Sequence, residues 1–597
     1  MKLGTRIAVW TCSAAFSALT AIESLSRYAS YHNHTYDLAL YARQAWGLAH
    51  GDFYEPIVGA PFLGTHIALV LWPLGLLGRL FGTVPVLLVA QSLAFGLATL
   101  PLAQIGARRF GDFGGAIATL AWLAYPNLGH VASYEFHPGS LGVLPLALAL
   151  DALDRHDGLT LLLSVLGLLC CRSDFALLAL LLGLMSWRMA PELRLAGRAV
   201  TGLALAYLFL QAVWLRHYLP AHGSLELHFA TWGGSPFGIV RALFSDPARV
   251  VAHFSQRDRL LYLPTVLLPL AFLPLRSLRW TLPALPFFAI NLISTFPTAT
   301  ALYSHYLTLA VPPLVVASLD GVYKLSRAGA RPRLAAALLC VLCAAALASS
   351  VRKGGQPWSR DFVRSDFLRD PHSDECARTV AAIPPNASVQ APDALLPHLA
   401  ERPRLFRAPP PDRGADYVVL DVSHRLRFAH EETLLRTTEE PGVRNWLARQ
   451  DYGLAYAEPS LLTLARGNDP RSGLASRYFL SGQGGHYGRR LCECLLVVDA
   501  WLDPDGLELV LYARPPCPND LALRLGATAK PTRVDLMFDG WLSPSQLHEE
   551  YLMSFHPLDP KERAELVAHG LHLGALRSSG APPEPKDPVS IEMPLVH

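Results

Sequence analysis

Apolar residues run through the first 351 positions in blocks broken only by short polar turns. A lipid-spanning helix needs about 20 of them, with roughly 17–25 the usual range. The pattern predicts eleven spans, at 7–22, 83–106, 114–132, 138–153, 158–171, 174–187, 199–219, 260–275, 280–298, 303–322 and 334–351, several of them short. One more run, 66–80 (HIALVLWPLGLLGRL), is interrupted by Pro73 and Gly75 and reads as a helix lying in or dipping into the outer interface. Beyond 351 the pattern changes to shorter alternating stretches. It predicts a helix over 374–383 stopped by Pro384-Pro385-Asn386, a strand over 388–391, a capped helix over 393–400, a buried strand over 417–422, a helix over 431–449 and a hairpin over 452–466. That mixture suits a small α/β domain. A Gly/Ser-rich loop follows, then β-like runs at 491–501 and 507–513 joined by Asp503-Pro504-Asp505-Gly506, and a Pro-rich unstructured tail at 581–589. The expected organisation is a transmembrane domain over 1–351 with a large first outer loop (23–82), an extracytoplasmic α/β domain over 352–470, and a β-containing module over 471–597 with a disordered tail.

Charge sharpens this division. Of the 99 charged residues, 38 lie in 1–351 and 61 in 352–597. The first part is too poor in charge to clothe a water-soluble surface, which excludes a soluble cytosolic enzyme and a disordered or collagen-like chain. A net charge of +3 does not point to nucleic acid. Short cytoplasmic loops concentrate Lys and Arg. With the N-terminus inside, the inner segments carry Lys2 and Arg6, Arg108 and Arg109, Arg155, Arg188, Arg194 and Arg198, Arg276 and Arg279, and Lys324, Arg327, Arg331 and Arg333. The outer turns 133–137 and 299–302 carry none. Counting 66–80 as a span would invert every later loop. The expected placement is therefore a multi-pass protein of the bacterial inner membrane, N-terminus cytoplasmic, with loops 23–82 and 220–259 and the C-terminal part extracytoplasmic. The first apolar stretch lacks a small-x-small cleavage site and reads as a retained signal anchor.

Ionisable groups near a bilayer are costly and are functional candidates by default. Tyr36 and Asp37 open the first outer loop, where Leu40, Ala45 and Leu48 recur at helical spacing and predict an interfacial helix. His66 begins the dipping run. Glu135 and His137 sit in Tyr134-Glu135-Phe136-His137-Pro138, Arg172 and Asp174 in Cys171-Arg172-Ser173-Asp174, and His305 and Tyr306 in Tyr303-Ser304-His305-Tyr306. Plainer roles stand beside the functional ones. Asp37 also suits a helix N-cap, His66 and His305 suit interfacial rings bonded to a carbonyl, Glu135 and His137 suit a solvated loop, and Arg172 and Asp174 suit a simple pair. Asp37, Glu135 and His137 together offer an alternative divalent-metal set, although no HExxH-type spacing exists. Cys340-x-x-Cys343 lies within a span. Cys376, Cys492, Cys494 and Cys517 would face an oxidising periplasm and could pair, with connectivity unreadable. There is no Walker loop, dinucleotide fingerprint or internal repeat.

These motifs carry a resemblance. Tyr36-Asp37-Leu38 through Gln44-Ala45-Trp46, Gly64-Thr65-His66, Glu135-Phe136-His137-Pro138 and Cys171-Arg172-Ser173-Asp174 resemble a bacterial family of polytopic membrane proteins, domain of unknown function 2079. Ser304-His305-Tyr306, Leu395-Leu396-Pro397-His398-Leu399 and Ala415–Asp421 extend the match over most of 30–470. That family looks like a distant branch of the C-type-fold glycosyltransferases, membrane enzymes that use polyprenyl-phosphate sugars. The resemblance implies an α-helical polytopic fold of about eleven spans, an acidic residue after span one, and an outward soluble region. Two departures matter: Ala42 or Arg43 stands where a second acidic residue is expected, and Gly64-Thr65-His66 where Gly-Asp-His is expected. Asp37 is left as the principal candidate.

The implied activity is inverting transfer of a sugar from a polyprenyl-phosphate donor to an unknown extracytoplasmic acceptor, with membrane lipid around the site. Asp37 would act as general base, with His66, Glu135, His137, Asp174 and His305 as further catalytic candidates. The leaving phosphate needs cationic stabilisation, for which Arg257 and Arg259 at the outer edge of span eight, Arg172 and His305 are expected, with Tyr36, Arg43 and Tyr306 as substrate-binding neighbours. The rivals are a transporter or flippase for a lipid or sugar precursor, which would place its charges near the midplane in paired repeats, and a non-catalytic membrane scaffold.

Overall fold

The computed structural model describes residues 1–421 apart from 34, 63–66, 219–227, 235, 297, 328–329 and 409–411. Beyond these it describes 446, 449, 451–458, 461–468, 479–480, 489–503, 506–513, 517, 521–528, 533–536, 550–577 and 591–593. The chain forms two compact units. Met1–Asp370 with Leu396–Pro403 make the first, and Pro371–Leu395 with Arg404–His597 the second.

The first unit is helical because long runs of Leu, Ala and Val satisfy their own backbone groups only as helices when surrounded by apolar matter. Among the described residues, five stretches are long and apolar enough to cross a membrane: Leu3–Ala29, Thr83–Leu123, Pro191–Val213, His305–Leu325 and Pro332–Lys353. The Thr83–Leu123 stretch is itself a helical hairpin. It breaks at Phe110 and Gly111, and Gly111 takes a left-handed φ of 61°. Past the corner the two limbs touch backbone to backbone, for a Cβ on Gly106 would lie 2.3 Å from the Gly114 carbonyl oxygen. Shorter apolar helices include Leu71–Phe81 and Gly158–Cys171. Leu71–Phe81 occupies the run expected to dip into an interface, and it leaves Trp72, Leu76, Leu77, Leu80 and Phe81 exposed.

Proline changes one expected span. Residues 260–275 form a helix, Arg257–Leu267, then a tight turn, Leu268–Leu270, and two left-handed residues, Ala271 and Phe272, before a second turn at Leu273–Arg276. Pro264, Pro269 and Pro274 each remove an N–H from the helical ladder, so the segment folds as linked turns.

One end of this unit is tied by ion pairs. Arg108 bonds Asp151 and Asp154, Arg109 bonds Asp154, and Arg155 bonds Asp151. Asp320 meets Lys324 at 2.8 Å and Arg279 at 3.0 Å, and the backbone N of Lys2 meets Asp112 at 2.8 Å. Two elements run from this cluster toward the candidate site: the stretch from His137 through the helix Val143–Arg155, and the stretch from His305 through Val311–Leu325.

The segment Leu396–Pro403 belongs to this unit. The expected helix over 393–400 is here a single 3-10 turn, Leu396–Leu399. His398 stacks on Tyr28 and Tyr31 with centroids at 4.1 and 3.7 Å, and Glu401 accepts the Thr83 N–H at 2.7 Å.

The second unit begins with the helix Pro371–Ala382 and a five-stranded mixed sheet. Its order is Leu405–Arg407, Val389–Ala391, Tyr417–Asp421, Leu461–Arg466, Tyr452–Glu458, parallel over the first three strands and antiparallel after them. Two antiparallel sheets follow. Leu495–Asp503 pairs with Gly506–Ala513, Leu521–Gly526 pairs with Leu571–Arg577, and Leu495, Val497, Leu509, Leu523 and Leu573 share one apolar core. The run expected as one strand over 491–501 is split: Leu495–Asp503 is a strand, and Arg489–Cys492 folds back on it through a tight return. Cys494 and Cys517 form a disulfide. The tail 581–589, and the helix expected over 431–449 except Trp446 and Arg449, lie outside the described residues.

Candidate functional site

Asp37 opens the helix Asp37–Ala49, with Tyr36 in the preceding position. The pattern predicts an interfacial helix here, but the structure buries it on nearly every side. A Cβ on Gly75 would lie 2.0 Å from the Ala45 carbonyl oxygen, so the Leu71–Phe81 helix presses directly on its backbone. The two residues of Asp37–Ala49 with acidic or basic side chains, Asp37 and Arg43, each meet a partner, His137 and Asp52.

The start of this helix is closed by Glu135. One carboxylate oxygen accepts the Thr35 N–H at 3.0 Å, and the other accepts the Thr35 hydroxyl and the Leu38 N–H. A helix N-terminus leaves such N–H groups without intrahelical partners. Burial, and then the nearby Asp37 charge, push the Glu135 carboxyl up to about 8. Glu135 is thus directed at backbone and hydroxyl donors.

Two residues on, His137 reaches Asp37. Its Nε2 lies 3.2 Å from the Asp37 carboxylate, and since a carboxylate only accepts, Nε2 carries the hydrogen. His305 stacks on this imidazole with centroids 3.7 Å apart, and Tyr41 meets it edge-on at 6.1 Å. The Asp37 side chain remains about 31% exposed, against 8% for His137.

Arg172 supplies positive charge to the same place. It lies against the Pro138–Leu141 turn, where a Cβ on Gly139 would stand 3.3 Å from Arg172 Cδ. Its charge acts on Tyr41, Tyr306 and His228, and that of Asp37 acts on Tyr41, Tyr306 and Glu135. Asp174 pairs with Arg172 at 2.9 Å. Tyr306 holds His228 at 3.3 Å, and His228 Nδ1 meets the Ser294 hydroxyl at 2.9 Å. Burial, then the Arg172 charge, lower the His228 pKa. The arrangement can accept a proton at Asp37, orient that carboxylate through His137 and hold an anion beside Arg172.

Other expected residues lie elsewhere. Arg43 is buried midway along its helix, paired with Asp52, donating to the Pro403 carbonyl at 2.7 Å and facing Trp46. Arg259 is enclosed by Gln256, Asp258, His253 and the Ser294 carbonyl. Arg257 is exposed at the start of its helix. His66 lies outside the described residues. Among the described residues no group of three or more His, Cys, Asp or Glu is arranged to hold a metal ion. The set Asp37, Glu135 and His137 does not fit one, because both Glu135 oxygens face hydrogen-bond donors.

Several contributors carry no charge and escape a search for ionisable residues. The buried amide of Gln91 bonds the turn that holds Glu135 and His137, and buried Asn127 bonds the turn before His305. His228 was also outside the expected set, although a histidine in an outer loop was a visible signal.

The family described as "Predicted membrane protein (DUF2079)" matches residues 27–425, about two thirds of the sequence. No curated protein matches. Among solved structures, the chain is similar to ArnT from Cupriavidus metallidurans bound to undecaprenyl phosphate (13% identity, TM-score 0.43) and in the apo state (14%, 0.44), each covering 76% of this chain and 98% of that one. It is also similar to the Archaeoglobus fulgidus oligosaccharyltransferase tethered with an acceptor peptide, at 12% identity and TM-score 0.33 over 76% of this chain and 74% of that one.

Proposed function

The chain belongs to the DUF2079 family of predicted membrane proteins, and we propose that it is an inverting glycosyltransferase. It moves a sugar from a polyprenyl-phosphate donor to an acceptor outside the bacterial inner membrane. The observation that carries this reading is the 3.2 Å contact between part-exposed Asp37 and His137, with His305 stacked behind and Arg172 nearby. Such a transfer needs a base for the acceptor hydroxyl and a cation for the leaving phosphate, roles that Asp37 and Arg172 would fill.

The topology we propose has eleven crossings, one of them made by 257–276 as a helix and linked turns, with the N-terminus inside and the C-terminal unit outside. Its support is the opposition of the two clusters. Arg108, Arg109, Arg155, Arg279 and Lys324, which the charge bias assigns to the cytoplasm, join one ionic network. His137 and Arg155 are 18 residues apart along one largely helical stretch, or roughly 27 Å at the helical rise. That length approaches the ~30 Å of a hydrocarbon core.

In this reaction the acceptor hydroxyl passes its proton to Asp37 while its oxygen bonds the anomeric carbon. The bond from that carbon to the phosphate oxygen breaks, and the electron pair leaves on the phosphate. Arg172 meets the growing negative charge, and a guanidinium suits phosphate geometry. His137 donates to Asp37 and keeps the carboxylate in one orientation. Asp174 fixes Arg172, and the Glu135 carboxyl holds the backbone that presents Asp37.

The test is transfer by the purified protein in liposomes, given a radiolabelled polyprenyl-phosphate sugar and a cell-envelope extract as acceptor pool. Label should pass to acceptor, and Asp37→Asn should lower the rate by about 10²–10⁴-fold, the usual contribution of a general base. Undiminished transfer by Asp37→Asn would remove the proposed base. Label crossing the bilayer unchanged would favour transport instead.

A further inference from the structure

The two stacked imidazoles come from distant turns, and each turn is bonded to a buried, uncharged amide on another element. Gln91 lies in the apolar helix Thr83–Leu97 and is fully buried. Its Nε2 donates to the carbonyls of Val131 and Glu135 at 3.0 and 2.8 Å, and its Oε1 accepts the His137 N–H at 3.0 Å. Asn127, also fully buried, does the same for the other turn. Its Nδ2 donates to the carbonyls of Leu302 and Ser304, both at 2.8 Å, and its Oδ1 accepts the Thr308 hydroxyl at 3.1 Å.

The two sets match in chemistry. Each amide gives two hydrogens to carbonyls of a chain reversal and accepts one hydrogen from the same reversal. Helix ends leave such groups unsatisfied, and a buried polar group without a partner is expensive. Only a carboxamide offers two donors and an acceptor without charge. Leucine offers neither, and a carboxylate would set oxygen against two carbonyl oxygens. Val131, Glu135 and His137 are thereby tied at one point, as are Leu302, Ser304 and Thr308 around His305. A shift of either turn would part the rings and move His137 from Asp37.

We propose that Gln91 and Asn127 are positioning residues that hold the His137–His305 stack against Asp37. The effect on catalysis rests on the transferase reading above, whereas the effect on ring geometry does not.

The test uses the full chain in detergent, labelled with 15N-histidine, beside the liposome assay. The His137 and His305 ring signals are assigned by their loss in His137→Gln and His305→Gln. Gln91→Leu and Asn127→Leu should each shift both ring signals, because the rings stack, and should lower kcat by about 10²-fold with little change in KM, the scale of a roughly 1 Å misplacement. Gln91→Glu keeps the length of the side chain. As a carboxylic acid it can accept the His137 N–H and donate one hydrogen, and as a carboxylate it can donate none. Its kcat should therefore rise on acidification relative to wild type, a pH profile that a loss of folded protein would not produce. Unmoved ring signals in folded Gln91→Leu and Asn127→Leu would overturn the proposal. So would wild-type kcat in either variant while Asp37→Asn is inactive. Ring signals that move in the two variants, of a protein whose wild type transfers nothing, would support the positioning roles and refute the reaction instead.

Discussion

At the Arg108 end of the helical unit, Asp151, Asp154 and Asp320 face guanidinium and ammonium groups, several of them shared between two partners. At the Asp37 end, one carboxylate faces an imidazole and the other faces N–H and hydroxyl donors. The same residue types do different work. A carboxylate among permanent cations stays charged and acts as a fastening, and breaking it strands a buried charge. A carboxylate against a single imidazole donor is oriented by one hydrogen bond and keeps an exposed side on which to accept a proton. Charge density therefore does not distinguish a site from a staple, and the number of fixed cations around the carboxylate does.

That contrast can be broken or sharpened by substitution. The largest expected effect is Asp37→Asn, with transfer down by about 10²–10⁴-fold and an unchanged melting temperature; a loss of melting temperature equal to that of an ion-pair variant would erase the distinction. Asp320→Ala should do the reverse. The cations left behind, Arg279 and Lys324, are half exposed, so the cost is that of the lost acceptor for buried Ser277, about 1–3 kcal/mol, read by denaturant titration in detergent, while kcat per folded molecule stays at the wild-type value. A kcat loss in the folded protein would move Asp320 into the same class as Asp37.

Glu135→Gln should have a smaller effect, visible in pH dependence. The folded carboxyl is raised from 4.5 to about 8, so its contribution to stability is fully present below about pH 4.5 and is lost as pH rises through about 8. The melting temperature of the wild type should fall across that window and that of Glu135→Gln should fall less. Burial also pushes the Glu55 carboxyl up to about 8, so adding Glu55→Gln should lessen the slope further. An identical slope in wild type and Glu135→Gln would refute the role of burial here. The smallest effect is at Arg257, exposed and distant in its bonding from Asp37: Arg257→Ala should leave kcat within about twofold and stability within about 0.5 kcal/mol.

Much of the helical layout is legible in the chain because apolar runs and their polar turns are locally encoded, as at Gly158–Cys171 and Pro332–Lys353. The segment 260–275 is less so, since its composition is apolar while its prolines forbid one continuous ladder. Asp37, Glu135, His137, Arg172 and His305 stand out because ionisable groups are conspicuous in an apolar sequence. Gln91 and Asn127 do not, being uncharged and common. Arg43 and Arg259 stand out for the same reason as Arg172, yet the fold surrounds them with protein acceptors: Asp52 and the Pro403 carbonyl for Arg43, and Gln256, Asp258 and the Ser294 carbonyl for Arg259. Charge reveals that a residue needs a partner, and only the fold says whether that partner is protein.

The slot formed by Tyr28 and Tyr31 is filled by His398. Those tyrosines, at the end of the helix Leu3–Ala29 and just beyond it, leave the ribosome well before their filler, which is made hundreds of residues later. Until then the ring faces stay bare and the Thr83 N–H lacks the Glu401 oxygen. Nascent chains halted before this point should therefore be hypersensitive to protease near Tyr31 and prone to quality-control degradation, and they should gain resistance abruptly once the histidine emerges.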